Sequence, residues 1–428
     1  MDPSCQMQLP RNPLTILAVG YASSAHVQAR VRCFAELGHK VLLVTESPSK
    51  AGIHGVIELV PSLSRELAKN HLFRALAWVS RNMLGVNPDH VWRAITFLGY
   101  LRTHRPDIVH VHYAYSYYGW MAGVLGCSPL VVTVMGGDVL FDEQGSPTEE
   151  GKWLTLNLLK RANYITSKSN YLSEALERLA GVGAKAERIF WGIPLSQFRR
   201  IDARGLRRQL GIDGDRRAIL SPRIFQPMYR IHLLVEAMPD VIARHPESLL
   251  LLTEYAVDAD YRAQIVGRIE ELGLAAHVRL CGSVSHGTMR DYYSLADVAV
   301  SVPESDGMPQ TLLEAMACGT PNLLVKLQRY EEIVQHEDSA YLVEPTAGSI
   351  AAGINRLLDC PDLCKKIARN GLAIASKEAD LSEQARRVER RYYQLREQMP
   401  RKAFRIGHLL RTGVVLHRRR SGRKVQGQ

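Results

Sequence analysis

The chain has 428 residues, 46% of them hydrophobic and 23% charged, which excludes a disordered chain and fits two domains of about 200 residues, each able to bury its own core. No run of 18 apolar residues offers a membrane-spanning helix. The net charge is +11, but nine Lys or Arg and no acid lie from Arg401 onward. Taking those nine from eleven leaves the body at +2, so the basicity belongs to a tail and specific nucleic-acid binding is not expected. The first residues, MDPSCQMQLPRNP, show no basic segment followed by an apolar run and a cleavage site, so the expectation is a cytoplasmic protein. Seven cysteines (Cys5, Cys33, Cys127, Cys281, Cys318, Cys360 and Cys364) are scattered and mostly in apolar segments, as packed thiols are. Cys360 and Cys364 form the one close pair. With no second pair and no His at ligand spacing, no metal site is expected.

In chain order, residues 15–20 (TILAVG) read as a buried strand, 25–37 as a helix turning Val27, Val31, Phe34 and Ala35 inward, and 40–45 (KVLLVT) as a second buried strand. This is the parallel strand-helix-strand unit of a doubly wound sheet. The loop after the first strand sits where such sheets bind ligands. It carries one glycine, Gly20, and no G-x-G-x-x-G, so a nicotinamide dehydrogenase is poorly supported. Residues 58–102 read as long helices. Within them the 65–84 segment interleaves Arg65, Lys69, Arg74 and Arg81 with Leu67, Phe73, Trp78 and Leu84, a composition that suits either a core-packed helix or an anionic membrane surface.

Residues 107–112 (DIVHVH) form a strand closing on His110 and His112, which share one face. Strands follow at 130–134 and 163–169. Between them the loop MGGDV offers Gly136 and Gly137, where backbone can approach a ligand closely. After a linker near Pro194 the rhythm restarts, with strands at 218–221, 249–253, 278–281, near 298–302, 321–325 and 342–345. Arg223 and Arg230 lie in the loop and helix start after the first of these. Two planar forks of donors there suit a diphosphate. Asp213/Asp215 and Asp258/Asp260 have the D-x-D spacing of a metal-diphosphate site, but their settings read as turns or helix caps.

The segment most like a site is residues 301–321, SVPESDGMPQTLLEAMACGTP. An apolar strand ends at Pro303, a polar loop holds Gly307 and Pro309, and a helix opens at Thr311. Leu312, Leu313, Met316 and Ala317 fall on one side of that helix and Glu314 on the other. Asp306 and Glu314 thus flank a helix start, a natural seat for phosphate. Ordinary capping explains the same residues equally well.

SDGMPQTLLEAMACGTP resembles the signature of the retaining glycosyltransferases of the two-Rossmann-domain (GT-B) type, in the large family numbered four: two acids with seven residues between, then E-A-M-A-x-G-x-P. The likeness extends through SSAHVQARVRCFAELGHKV, PDIVHVHYAY, VVTVMGGDVL, NYITSKSNYLSEAL, IFWGIPLSQF and VRLCGSVSHGTMRDYYSLADVAVS, in the family's order. The resemblance implies an α/β chain of two Rossmann-like, doubly wound parallel-sheet domains facing a cleft. It divides the chain into an acceptor-binding domain at 1–195, a nucleotide-sugar-binding domain at 196–380, a helix at 381–400 packing back toward the first domain, and the basic tail at 401–428.

By the same resemblance Glu314 holds the nucleotide ribose, and Asp306 lies by the donor sugar. The Gly307, Met308, Pro309 and Gln310 turn approaches sugar and diphosphate. Arg223 and Arg230 neutralise the diphosphate, His112 helps position the sugar, and Gly20 and His26 match first-loop residues near phosphates and acceptor. The departures are Asp306 for the usual Glu, Arg230 at wide spacing in place of a lysine, no second glycine near Gly20, and Pro194 where an Asp is common. The implied activity is metal-independent transfer of a sugar from a nucleotide diphosphate donor, with retention, to a lipid-linked or cell-envelope polysaccharide acceptor. The basic tail and the 65–84 segment are candidates for docking on the inner face of the plasma membrane. A nucleotide-sugar-binding scaffold without turnover and a sugar-nucleotide epimerase of the same fold are the alternatives.

Overall fold

The structure, a computed structural model, describes residues 12–61, 78, 88–141, 148–212, 214, 216–306 and 308–399. The 65–84 segment apart from Trp78, the Asp213 and Asp215 pair, Gly307 and the basic tail lie outside the described residues. Packing divides the chain into two units. The first holds residues up to Lys168, Leu172–Ile189 and the chain from Ala385; the second holds Ser169–Tyr171 and Phe190–Gln384.

In unit 1, β1 (Thr15–Val19), β2 (Lys40–Val44), β3 (Val56–Leu59), β4 (Ile108–His112), β5 (Leu130–Thr133), β6 (Tyr164–Ser167) and β7 (Ala186–Arg188) form one sheet. Its order is β3-β2-β1-β4-β5-β6-β7, and every pairing is parallel. Most inner strands are apolar runs because helices cover both faces, with His110 and His112 in β4 the main exception. The helix Ala25–Glu36 starts at Ser24, whose side chain accepts from the Val27 amide, and it buries Val27, Arg30, Val31, Cys33 and Phe34. Ala35, expected inward, is only half-buried, and a charged residue, Arg30, takes a core position. Two edge strands escape the sequence pattern. β3 occupies part of the stretch read as helix, and β7 is three residues long; both are half-exposed and too short to show a period.

Unit 2 repeats the plan with β8 (Arg217–Ser221), β9 (Ser248–Leu252), β10 (Val278–Leu280), β11 (Val298–Ser301), β12 (Asn322–Val325) and β13 (Tyr341–Val343), in the order β10-β9-β8-β11-β12-β13. These pairings too are all parallel. In each sheet the winding direction reverses once, between β1 and β4 and between β8 and β11, and the carboxyl ends of those strands are where this architecture binds ligands. Asp258 caps the helix Ala259–Glu271, accepting from the Tyr261 amide at 2.8 Å.

Among the described residues no helix is long and apolar enough to cross a membrane. The helix Leu381–Gln398 carries the chain back into unit 1, where it is tied by His39–Glu389 (2.9 Å) and by Arg387 and Arg391 to Glu187 at 3.0 and 3.2 Å.

Within unit 2, Gly192 sits at φ +39°, and a Cβ there would run into the backbone carbonyl of Ala379, which already accepts from the Ile193 amide at 2.8 Å. Gly192→Ala therefore combines a strained backbone with a backbone clash. It is expected to destabilise unit 2 by about 2 kcal/mol or more, read as a lower urea midpoint at unchanged slope.

Candidate active site

At the switch point of unit 2, Arg223 follows β8 and Asp306 follows β11. The two strands are neighbours, with Ala299 opposite Leu220, so residues far apart in the chain meet. Arg223 is buried. Its Nη2 donates to Asp306 Oδ2 at 2.5 Å, its Nη1 donates to Thr311 Oγ1 at 2.9 Å, and its guanidinium lies over the Tyr229 ring at 4.5 Å. Tyr330 donates to the same Asp306 oxygen at 3.0 Å. Burial works against the Arg223 charge, but Asp306, Tyr330 and Tyr229 together outweigh it and hold the pKa above the ordinary arginine value. Tyr330 is pushed well above its usual range by burial and then by Asp306. Arg223 Nε is buried with no hydrogen-bond partner among the described residues, so one donor of the guanidinium is unsatisfied within the fold.

Arg230 is the residue before the helix Ile231–Arg244 and adopts a left-handed conformation, φ 50° and ψ 39°. Its guanidinium lies 3.8 Å from Glu304, in the loop that also carries Asp306. The two arginines thus each face a carboxylate of one loop. A left-handed backbone at a residue other than glycine costs about 1–3 kcal/mol and marks a constrained position.

The helix Gln310–Ala317 starts at Pro309 with no side-chain cap, so its first amides are not taken by a capping side chain. The N-cap position falls on Pro309, not on Ser305 or Asp306. Met308 and Pro309 are buried, and Gln310 donates to the Gly192 carbonyl at 2.8 Å. Glu314 lies opposite the sheet-facing residues, yet it is buried as well. Its Oε1 is 2.8 Å from His286 Nε2, and its Oε2 accepts from the Tyr293 hydroxyl at 2.9 Å. Tyr293 is raised far above its ordinary pKa by burial and by Glu314, while Arg223 acts in the opposite direction. The Glu314 and Arg223 clusters therefore adjoin within unit 2.

In unit 1 the switch point holds Gly20 and His112. A Cβ on Gly20 would meet Val27 at 3.1 Å and His112 Cβ at 3.4 Å, so the absence of a side chain lets the first loop pack on the histidine. His112 is buried and stacks on His110, with ring centroids 3.9 Å apart. His110 is held by Tyr392 (Nδ1, 2.5 Å) and by Thr133 (Nε2, 2.7 Å), and Thr133 is hydrogen-bonded to Thr166 at 2.7 Å. Burial, then His110 and Arg30, drive the His112 pKa well below the ordinary imidazole value, and burial and Arg30 do the same to His110. Arg30 itself is lowered to about 9 by burial, against the pull of Asp138.

The MGGD loop turns inward onto Asp138. One of its oxygens accepts from the Met135 and Gly136 amides at 2.8 and 3.0 Å, and the other accepts from Ala114 at 2.7 Å. The Gly136 amide, expected to approach a ligand, is thus engaged within the loop; Gly137 is half-buried beside it. His26 sits half-buried in the first turn of the helix Ala25–Glu36.

Several participants were not singled out in the sequence: Tyr229, Tyr330, Thr311, His286, Tyr293, Arg30 and Tyr392. Arg30 left a signal, since it falls three residues after Val27 and four before Phe34 on the inward face. The tyrosines left none.

Two family models cover most of the chain. Residues 202–373 match Glycosyl transferases group 1, and residues 23–197 match Glycosyltransferase Family 4. The chain belongs to the group 1, family 4 glycosyltransferases. It is 26% identical over 300 residues to a D-inositol 3-phosphate glycosyltransferase 2 of Catenulispora acidiphila, covering 65% of this chain and 70% of that one. It is 34% identical over 155 residues to an uncharacterised glycosyltransferase of Methanocaldococcus jannaschii, covering 36% of this chain and 38% of that one. Among solved structures, the Anabaena protein HepE in complex with UDP and glucose superposes with a TM-score of 0.73 at 17% identity, over 89% of this chain and 100% of the other. The fold of this glycosyltransferase is accordingly GT-B: two parallel-sheet α/β domains.

The His110 and His112 imidazoles are buried as neutral rings. Below pH 6.5 the unfolded chain takes up protons that the fold excludes. Stability from these residues is therefore complete above that pH and falls as pH drops, by up to about 1.4 kcal/mol per pH unit per histidine. Urea unfolding of unit 1 across the acid range is expected to show this slope, and a His110→Gln/His112→Gln variant to flatten it. Tyr392→Phe, which leaves His110 Nδ1 without its hydroxyl partner, is expected to cost about 1–3 kcal/mol in the same assay at neutral pH.

Proposed function

We propose that this glycosyltransferase moves a hexosyl group from a nucleotide diphosphate sugar to an acceptor hydroxyl with retention of configuration, without requiring a divalent cation. The observation that carries the reading is Arg223, a buried and ion-paired guanidinium with Nε unsatisfied, beside an uncapped helix start at a sheet switch point. Preorganised donors in a site shielded from water stabilise charge that grows on a departing group.

In this reading the bond from the anomeric carbon to the diphosphate oxygen breaks, and the developing charge is met by Arg223, by Arg230 and by the amides near Met308–Gln310. Gly307, which belongs to the same turn in the sequence, shares that assignment. The acceptor hydroxyl attacks from the face that the diphosphate leaves, and its proton passes to the departing diphosphate. Glu314 takes the ribose diol with the acceptor capacity it keeps beyond the bonds from His286 and Tyr293. Asp306 holds the Arg223 plane and faces the donor sugar.

His112, neutral at physiological pH, hydrogen-bonds sugar hydroxyls without adding charge. Gly20, His26, Gly136 and Gly137 shape the surface around it. The acceptor is a lipid-linked or cell-envelope saccharide, and the basic tail and the 65–84 segment dock the enzyme on an anionic membrane surface, where the product would enter polysaccharide synthesis.

Donor and acceptor are tested by incubating the protein with a panel of nucleotide sugars and lipid-linked or soluble acceptors. Release of nucleoside diphosphate only when acceptor is present supports the reading. Release with a single substrate and a free sugar product would favour the epimerase, and binding without release the scaffold. Glu314→Gln is expected to weaken nucleoside diphosphate binding by about tenfold to a hundredfold, the loss of one charge-assisted hydrogen bond. Asp306→Asn keeps the shape but frees Arg223 of its counter-charge. It is expected to leave nucleotide affinity equal or tighter by calorimetry, while turnover falls by about a hundredfold or more.

A further inference from the structure

His286 lies in the loop after β10, outside every role assigned above. Its ring packs on Phe198, with centroids 5.1 Å apart, and its Nε2 sits 2.8 Å from Glu314 Oε1. The two side chains differ sharply in exposure: 43% for His286 and 4% for Glu314. The carboxylate is therefore clamped from two sides, by a half-exposed imidazole on Oε1 and by the buried Tyr293 hydroxyl on Oε2. Its plane is fixed, and the lone pairs left over are the ones that can accept from a diol. Both clamping residues come from one stretch of chain, Ser285–Tyr293, in which Ser285 and Thr288 close a turn at 2.7 Å just before the helix Met289–Leu295.

We infer that His286 is a positioning residue that orients Glu314 for the nucleotide ribose and makes nucleotide affinity depend on its own protonation, an inference that rests on the reading of Glu314 as the ribose acceptor. The hydrogen bond to Glu314, resisted by burial, raises the His286 pKa above its ordinary 6.5. An imidazole whose pKa is raised in this way stays protonated to a higher pH than a free one, and loses its charge as pH rises further. Protonated, it locks the carboxylate with a charge-assisted bond and adds a cation to a site for a polyanion. Neutral, it keeps only the weaker hydrogen bond.

Other ionisable groups around the carboxylate do not reproduce this behaviour. Tyr293 lies well above its usual range. Cys318, which feels Glu314 and is flanked by Arg290 and Arg200, is pushed up to about 12 by burial. The arginines carry their charge throughout. Nucleotide affinity should thus be higher below the His286 pKa and fall as pH rises through it.

The test is calorimetric titration of the full chain with UDP, GDP and ADP, at about pH 6 and about pH 8.5, beside His286→Gln and His286→Lys. Gln keeps a neutral donor near the Nε2 position, and Lys keeps a charge at both pH values. The terminal phosphate of the nucleotide titrates identically for all three proteins, so the readout is the ratio of wild-type to variant affinity. The wild-type to Gln ratio is expected to be about fivefold larger at the lower pH, the scale of one partly exposed charge pair. The Lys to Gln ratio is expected to be the same at both.

A wild-type to Gln ratio that does not change with pH overturns the inference, even if both proteins bind nucleotide. Binding of none of the three nucleotides by the wild type overturns the reading of the site and this inference together. A Glu314→Gln variant that binds as tightly as wild type removes the ribose role and, with it, this inference.

Discussion

Everything in the candidate site of unit 2 depends on keeping a guanidinium charged while it is almost out of water. Moving such an ion into a protein interior costs several kcal/mol unless a counter-charge and further hydrogen bonds compensate. Arg223 is compensated by Asp306 at 2.5 Å, by the Thr311 hydroxyl at 2.9 Å and by the face of Tyr229 at 4.5 Å. Each comes from a different element: the loop after β11, the first turn of the helix Gln310–Ala317, and the turn before the helix Ile231–Arg244. The parallel pairing of β8 with β11 brings those elements together. Removing Asp306 would leave a buried charge unpaired, so this carboxylate cannot be judged as a catalytic group alone.

The two units solve opposite electrostatic problems on the same topology. Unit 1 places histidines at its switch point and keeps them neutral by burial, with Arg30 beneath them adding to the effect. Unit 2 places arginines and carboxylates there and pairs them, and its buried Arg223 is held above the ordinary arginine pKa. The distinction shows in the direction of the histidine shifts, since His110 and His112 are driven down while His286 is raised. A neutral imidazole offers both a donor and an acceptor, whereas paired guanidiniums offer only donors and carry charge.

How much was legible in the sequence follows from the range over which each signal acts. Nearly every inner strand is a run such as KVLLV or SLLLL, because a parallel strand buried on both faces must be apolar along its whole length. The edge strands Val56–Leu59 and Ala186–Arg188 were missed because half-exposed strands of three or four residues carry no such run. The segment 301–321 could be picked out because its strand, loop and helix are contiguous. Its partners could not, since Tyr293, Tyr330 and His286 reach Glu314 or Asp306 across 21 to 28 positions of chain, and nothing local marks a tyrosine as a hydrogen-bond donor to a buried acid.

By itself the sequence determined the two-domain α/β class, the family and the identity of the charged groups, because apolar runs, turn residues and a contiguous signature are properties of neighbouring residues. Tertiary structure alone decided which charges pair. Whether Arg223 faces Asp306 and Thr311, whether Glu314 is exposed or clamped, and whether His112 is neutral or charged depend on strand order and on burial. Those are set by packing between segments whose separation along the chain says nothing about their distance in space.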